Sequence, residues 1–156
     1  MVDSSTANYS LMISVRLELK GSEQHWFDAI DAKGNVVALD ANEAAQNTNL
    51  GARPMQLLLM ALGGCSGVDV LSILKKQKQE VEKLTINISG ERENAVPSPW
   101  KKVHVVFNFE GQIDDQKCVR ACSLSIEKYC SVAETLRLAG ASITWEALVH
   151  QNKIHS

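Results

Sequence analysis

The sequence predicts an α+β fold with its elements in the order βββ-α-ββ-αα-β, and three observations support this. Apolar and polar residues alternate in several short segments, which is typical of half-buried strands. One long apolar segment, residues 54–74, has the length and composition of a central helix. Strand-rich and helical blocks follow one another with very unequal lengths, which favours α+β over a doubly wound parallel sheet.

The N-terminal part of the chain predicts three antiparallel strands. Apolar residues occupy every second position from Ile13 to Leu19, which indicates the first strand. Residues 25–30 and 36–39 are the second and third strand segments. Gly34 lies between them and provides the positive φ that a tight hairpin connection needs.

Residues 54–74 are predicted to form the central helix. Pro54 suits the first position of a helix, and the lysines that follow Leu74 suit its last turn. Because the segment is nearly apolar all round, such a helix is either buried at the centre of a fold or spans a membrane. Asp69 would cost about 2.5–3.5 kcal/mol near a bilayer centre. We therefore expect a buried helix with no solvated face.

The rest of the chain predicts two strands, two helices and a final strand. The strands are expected at residues 84–88, 103–109 and 143–147, the first two paired as a hairpin. Asp114 and Asp115 favour the start of the second helix. Residues 131–134 match a capping box with Ser131 as the N-cap, and Gly140 suits the end of that third helix.

Length and composition indicate an ordinary globular protein. We expect a single domain over residues 1–156, with loose ends at 1–10 and 150–156. The net charge of −2 and the pI near 6.1 give no electrostatic basis for binding nucleic acid or an anionic membrane. The N-terminus lacks a secretory signal pattern, so a cytoplasmic location is expected.

Four cysteines are too few and too unevenly spaced for a secreted disulfide scaffold, so they are free, redox-active or metal-bound. Cys118 and Cys122 share one face of the predicted second helix. Zinc would need two further ligands, and the four histidines are scattered. Two small apolar side chains in the core are therefore the favoured interpretation of this pair.

Cys65 and Cys130 each lie beside a feature of a helix start: two glycines precede Cys65, and Cys130 precedes the predicted capping box. Two glycines precede Cys65, and each glycine in a helix interior costs about 0.5–1 kcal/mol relative to alanine. They indicate either close packing around an inert thiol or a local helix break that supplies N–H groups to a thiolate. Asp69, one turn later, would oppose a thiolate, accept a hydrogen bond from the thiol, or pair with a cation. Spacing alone does not show whether Cys65 and Cys130 meet.

Two segments together, Pro54–Leu74 around Cys65 and Glu127–Ala133 around Cys130, resemble the OsmC/Ohr family, most closely its OsmC-like branch of the YhfA type. The resemblance implies an intertwined homodimer with long central helices buried between sheets and with active sites at the dimer interface. It implies that Cys65 is the peroxidatic cysteine and Cys130 the resolving cysteine. The expected activity is reduction of organic hydroperoxides or hydrogen peroxide in oxidative-stress defence, with an external dithiol as reductant and no metal or cofactor.

One position departs from the family pattern. Family peroxidases commonly carry a glutamate after the motif's proline, salt-bridged to an arginine, and here that position is Met55. The candidate supporting residues are Arg53, Gln56, Asp69 and Glu134. The departure leaves an alternative open: a non-catalytic dimer that binds an apolar small molecule, or a redox sensor.

Overall fold

The computed structural model describes residues 12–21, 26–40 and 50–150. The strands are β1 (Val15–Leu19), β2 (Trp26–Asp31), β3 (Val36–Asp40), β4 (Lys83–Arg92), β5 (Trp100–Glu110) and β6 (Ser142–His150). The helices are α1 (Pro54–Lys76), α2 (Asp115–Leu124) and α3 (Ser131–Leu138), and a π-helical turn, called the π turn below, covers Ser125–Tyr129. The predicted α+β class and element order are confirmed.

The chain divides into two compact units, Met1–Pro54 and Met55–Ser156. The prediction of one domain over residues 1–156 stays a prediction. The expected loose end at 1–10 and the start of the second predicted strand, at His25, lie outside the described residues. At the other end β6 continues through His150, so the predicted loose end is wrong at that residue, and residues 151–156 lie outside the described residues.

The first unit contains an antiparallel sheet in the order β1-β2-β3. Ile30 of β2 lies opposite Val36 of β3 in the predicted hairpin. The turn is closed by Asp31, whose carboxylate accepts hydrogen bonds from the backbone N–H groups of Lys33 and Asn35 at 2.8 and 2.9 Å. Gly34 has a φ of 86°, which provides the left-handed backbone expected there.

The second unit contains a sheet in the order β4-β5-β6. β5 lies in the middle, antiparallel to β4 and parallel to β6. A parallel pair needs a long crossover connection, and α2, the π turn and α3 supply it. The hairpin of β4 and β5 is the predicted one. Its connection includes a cis peptide bond before Pro97.

The core of the second unit lies between this sheet and its helices. The inward side chains of β5, from Val103 to Phe109 at every second position, are at most 1% exposed. They belong to one cluster with Leu62, Val70 and Leu74 of α1. The alternation of apolar and polar residues in β5 therefore arises because the core covers one face of the sheet.

Glycines in α1 allow close packing against β4. A Cβ at Gly67 would lie 2.9 Å from the Ile86 side chain, and one at Gly63 would lie 3.1 Å from the Ile88 side chain. Helix α1 is continuous from Pro54 to Lys76. Close packing, and not a helix break at Cys65, accounts for Gly63.

Helix α1 is long and apolar enough to cross a membrane by length and composition. Its Leu62, Val70 and Leu74 are nevertheless fully buried in the protein core, as in a core helix. The expectation that no face of α1 meets solvent is wrong for a single chain. Four of its large apolar side chains are 40–65% exposed: Leu58, Met60, Val68 and Leu71. One chain therefore buries only part of this helix.

Candidate thiol site

The thiol of Cys65, the carboxylate of Asp69 and the thiol of Cys130 form one cluster. Their ligand atoms all lie within 4.8 Å of one another. Cys65 and Asp69 are four residues apart on α1, so they are neighbours on one face of that helix. Cys130 comes from the junction of the π turn and α3. The fold thus brings together two cysteines that are 65 residues apart in the sequence.

The π turn fixes where Cys130 lies. The backbone N–H of Cys130 donates to the carbonyl of Ser125 at 2.8 Å, a bond that spans five residues and ends the turn. Single π-helical turns inside helical segments occur frequently at functional sites. Here the turn directs the chain into α3 with Cys130 at the bend.

Cys130 is the N-cap of α3. Its sulfur accepts a hydrogen bond from the backbone N–H of Ala133 at 3.4 Å. The predicted capping box with Ser131 as N-cap is therefore wrong by one residue. Glu134 does not reach back to the helix start as predicted but pairs with Arg137 at 2.8 Å. In the N-cap position the Cys130 sulfur accepts the backbone hydrogen bond that a serine hydroxyl ordinarily accepts there.

Ser125 connects the π turn to α1. Its buried hydroxyl lies 3.2 Å from the carbonyl of Ser66 and 3.3 Å from a carboxylate oxygen of Asp69. This contact holds Asp69 in the cluster. Ser125 was missed at the level of sequence, because a serine inside a helical pattern does not reveal whether it is buried.

Burial is the main cause that raises the pKa of the Cys130 thiol to about 11, and its hydrogen bond to Cys65 is the second. The backbone N–H groups of Ala133 and Val132 act in the opposite direction. At neutral pH Cys130 is therefore a protonated thiol. Cys65 is only half-buried, whereas Cys130 is 3% exposed, so a solvent-borne molecule reaches Cys65 first.

Gln56, another candidate supporting residue, lies apart from this cluster. Gln56 is nine residues before Cys65, which is a rotation of about 180° on an α-helix, so it faces the opposite side of α1. It lines a cleft with Met60, Ile86 and other apolar residues. Arg53 belongs to the first unit, so its part in the site stays a prediction.

Glu134 contacts the π turn beside the site through its partner Arg137. Its partner Arg137 also donates to the backbone carbonyl of Ile126, in the π turn. The pair of Glu134 and Arg137 thus braces α3 against the turn that carries Cys130. Arg137 was not singled out from the sequence, because the helical spacing that joins it to Glu134 is common on protein surfaces.

Cys118 and Cys122 lie on α2 and are fully buried. Burial is the main cause that raises their pKa values, to about 11 and about 12. Asp115 and Asp114 add to the shift at Cys118. This geometry agrees with their interpretation as core residues.

Comparison with known proteins decides the family. The chain matches the family described as OsmC-like protein over residues 45–146. It belongs to that family. Protein YhfA from Escherichia coli K12 is 37% identical over 109 residues, which cover 69% of this chain and 78% of YhfA. The resemblance stated from the two cysteine segments is confirmed.

Solved structures of OsmC-like proteins share the fold. A hypothetical protein from Aquifex aeolicus VF5 superposes with a TM-score of 0.73 at 32% identity, over 89% of this chain and 98% of that one. The organic hydroperoxide resistance protein OhrB of Bacillus subtilis superposes with a TM-score of 0.62 at 17% identity, over 86% of this chain and 97% of that one. At that identity the likeness to OhrB shows the fold alone.

Proposed function

We propose that this OsmC-like protein is a thiol-dependent peroxidase that reduces organic hydroperoxides or hydrogen peroxide and acts in oxidative-stress defence. The observation that carries the proposal is the approach of Cys65 and Cys130 to within 4.8 Å. Membership of the OsmC-like family supports it.

The reaction begins at Cys65, the more accessible of the two thiols. Its thiolate donates an electron pair to the distal oxygen of the peroxide and the O–O bond breaks. The leaving group is an alkoxide, which takes a proton from water, or hydroxide when the substrate is hydrogen peroxide. Cys65 becomes a sulfenic acid. The sulfur of Cys130 then attacks the Cys65 sulfur. The S–O bond breaks, and hydroxide leaves with the Cys130 proton as water.

The product is a Cys65–Cys130 disulfide. An external dithiol restores both thiols by disulfide exchange and is itself oxidised. The hydrogen bond between the two thiols supports this division of roles. Because Cys130 is the group kept protonated, its S–H donates the hydrogen bond and the Cys65 sulfur accepts it. A cytoplasmic location suits the need for a reducing partner.

The working form in this proposal is a homodimer, the state found in the OsmC/Ohr family. A single chain exposes apolar side chains on α1 and on β1, among them Val68 and Leu17. Burial of such side chains against a second copy of the chain favours association. Val68→Glu should therefore convert a dimer to a monomer in analytical ultracentrifugation. A Lys75→Glu variant, altered in an exposed charge on the same helix, is the matched control and should stay dimeric.

Turnover tests the activity directly. With cumene hydroperoxide and an excess of a small dithiol, the wild-type protein should consume peroxide catalytically. Cys65→Ser should reduce the rate by about 10⁴-fold or more, the scale seen when an enzyme loses its nucleophile. Cys118→Ala is the matched control and should keep turnover within about twofold, since Cys118 lies outside the cluster. Equal rates in wild type and Cys65→Ser would disprove the proposal.

A second function is favoured by a different observation. The cleft between α1 and β4 is lined mainly by apolar side chains, among them Leu59, Met60 and Ile88. Together with Met55 in place of the family's acid, it fits a non-catalytic protein that binds an apolar small molecule. A fluorescent fatty acid should then bind with equal affinity to wild type and Cys65→Ser, and more weakly to Ile88→Asp. Failure of the probe to bind wild type would exclude this function.

A further inference from the structure

We propose that Cys65, Asp69 and Cys130 form a binding site for a thiophilic divalent cation such as Zn²⁺. The three side chains converge from two separate elements, and their donor atoms lie within 4.8 Å of one another. In a tetrahedral zinc site, sulfur ligands about 2.3 Å from the metal are about 3.8 Å apart. Small side-chain rotations therefore suffice to close the cluster around one ion.

The donor set selects the kind of metal. When the cation displaces the thiol protons to solvent, two thiolates and one carboxylate combine soft ligands with a hard anionic ligand, a set that suits zinc better than magnesium or calcium. A bound dication attracts all three groups of the cluster once the two sulfurs are ionised. Without a cation, the carboxylate repels a neighbouring thiolate. With a cation bound, all three anionic groups are attracted to its charge.

The surroundings orient the ligands before a metal arrives. The Ser125 hydroxyl lies 3.3 Å from one oxygen of Asp69, and the Ala133 N–H donates to the sulfur of Cys130. Hydrogen bonds of this kind fix ligand geometry and tune ligand basicity in metal sites. The half-buried position of Cys65 leaves one side of the site for a water or an exogenous ligand as the fourth donor.

Metal binding and the disulfide exclude each other because both use the same two sulfurs. When peroxide takes two electrons from Cys65 and Cys130 to form a disulfide, the cation loses two of its three protein ligands. Zinc should therefore slow the oxidation of the pair, and oxidation should release zinc. The site does not depend on the peroxidase activity, since metal binding requires only the reduced thiols.

Anaerobic titration of the reduced full-length protein tests the site. Zn²⁺ competed against a chromophoric chelator should bind with one equivalent per chain. Co²⁺ should give the intense near-ultraviolet thiolate-to-cobalt bands and the visible bands of a tetrahedral site. Cys65→Ser should abolish both signals, and Asp69→Asn should weaken zinc binding at least about 10-fold. Ser125→Ala, which removes the hydroxyl that contacts Asp69, should weaken it about 10-fold.

Matched controls separate this site from other donors. Asp115→Asn changes an exposed carboxylate of α2, and Cys118→Ala removes a buried thiol outside the cluster. Both should bind zinc within about twofold of wild type. Zinc binding that survives in Cys65→Ser, or that is lost in Cys118→Ala, would overturn the proposal. So would a wild-type protein that competes no better for zinc than Cys65→Ser does.

The same variants keep this test apart from that of the proposed function. Asp69→Asn is therefore compared by zinc binding alone, and disulfide formation with peroxide is measured on the wild-type protein. A wild-type protein that forms the disulfide but binds no zinc disproves only the metal site. A wild-type protein that binds zinc but ignores peroxide disproves only the peroxidase.

Discussion

Two pairs of cysteines in this protein are held in different ways. Cys118 and Cys122 lie on one helix and are sealed in the core. Cys65 and Cys130 come from different elements, and Cys65 is only half-buried. A pair on one α-helix has its spacing fixed by the helix, whereas a pair from two elements changes its separation when one element shifts slightly. The second arrangement suits sulfurs that have to form and break a bond.

The pKa values alone do not distinguish these pairs. The pKa of Cys118 and that of Cys130 are both raised to about 11. Besides burial, the carboxylates of Asp115 and Asp114 raise the pKa of Cys118. Besides burial, Cys65 raises the pKa of Cys130, and backbone N–H groups lower it. The difference lies in what surrounds each thiol. Cys130 lies beside a thiol that is only half-buried and that a solvent-borne oxidant can reach, whereas Cys118 and Cys122 are both fully buried.

Trapping the intermediate should give the largest contrast between the pairs. In Cys130→Ser the Cys65 sulfenic acid has no neighbouring thiol to condense with, so its lifetime should increase at least about 10-fold over wild type. Cys122→Ser should leave the lifetime unchanged. Dimedone labelling followed by mass spectrometry measures it. Equal labelling of wild type and Cys130→Ser would show that Cys130 does not resolve the intermediate.

Stability should show the opposite pattern. Cys122→Ser places a hydroxyl in a fully buried site and should lower the free energy of unfolding by about 1–3 kcal/mol. Cys65→Ser changes a half-buried position and should stay within about 0.5 kcal/mol. Urea denaturation of the reduced proteins measures both. A larger loss for Cys65→Ser than for Cys122→Ser would contradict the assignment of structural and reactive pairs.

Alkaline pH should weaken the folded state through the buried pair. Burial raises the pKa of Cys122 from near 9 to about 12 in the folded protein, so the native state favours the neutral thiol. The stabilisation is complete below pH 9 and is lost as the pH rises towards 12. Cys122→Ala should therefore show a shallower decline in the free energy of unfolding than wild type over this range. Identical slopes would rule out the burial effect.

The smallest expected change is a shift in one pKa. Cys65→Ala removes the hydrogen bond and charge that help to raise the pKa of Cys130, so that pKa should fall below about 11 while burial keeps it above the ordinary value. The pKa of Cys118 should stay at about 11. The pH dependence of alkylation, followed by peptide mass spectrometry, measures both. An unchanged Cys130 value would mean that the two thiols do not interact.

Sequence periodicity predicted the sheet of the second unit well because one covered face imposes strict alternation on β5. It did not predict the π turn, since a π turn and an α-helix share composition and differ by one residue in hydrogen-bond span. That single residue moved the α3 cap from Ser131 to Cys130. The apolar sequence of α1 likewise predicts a buried helix, but it does not show how much of that burial a single chain provides.

The candidate site was predictable only through the two cysteine segments taken together. Spacing could not show that Cys65 and Cys130 meet, because their approach depends on long-range packing between α1 and the π turn. Asp69 was predictable as a neighbour of Cys65 from helical spacing. Ser125 was not, since its contact with Asp69 exists only in the folded chain.

Disulfide mapping tests the central claim most directly. The reduced protein is treated with one equivalent of cumene hydroperoxide, quenched with an alkylating agent, and digested without reduction. The account predicts a single new crosslinked peptide that joins Cys65 to Cys130, with Cys118 and Cys122 recovered as thiols. A crosslink that involves Cys118 or Cys122 instead, or four unmodified thiols with the peroxide unconsumed, would contradict it.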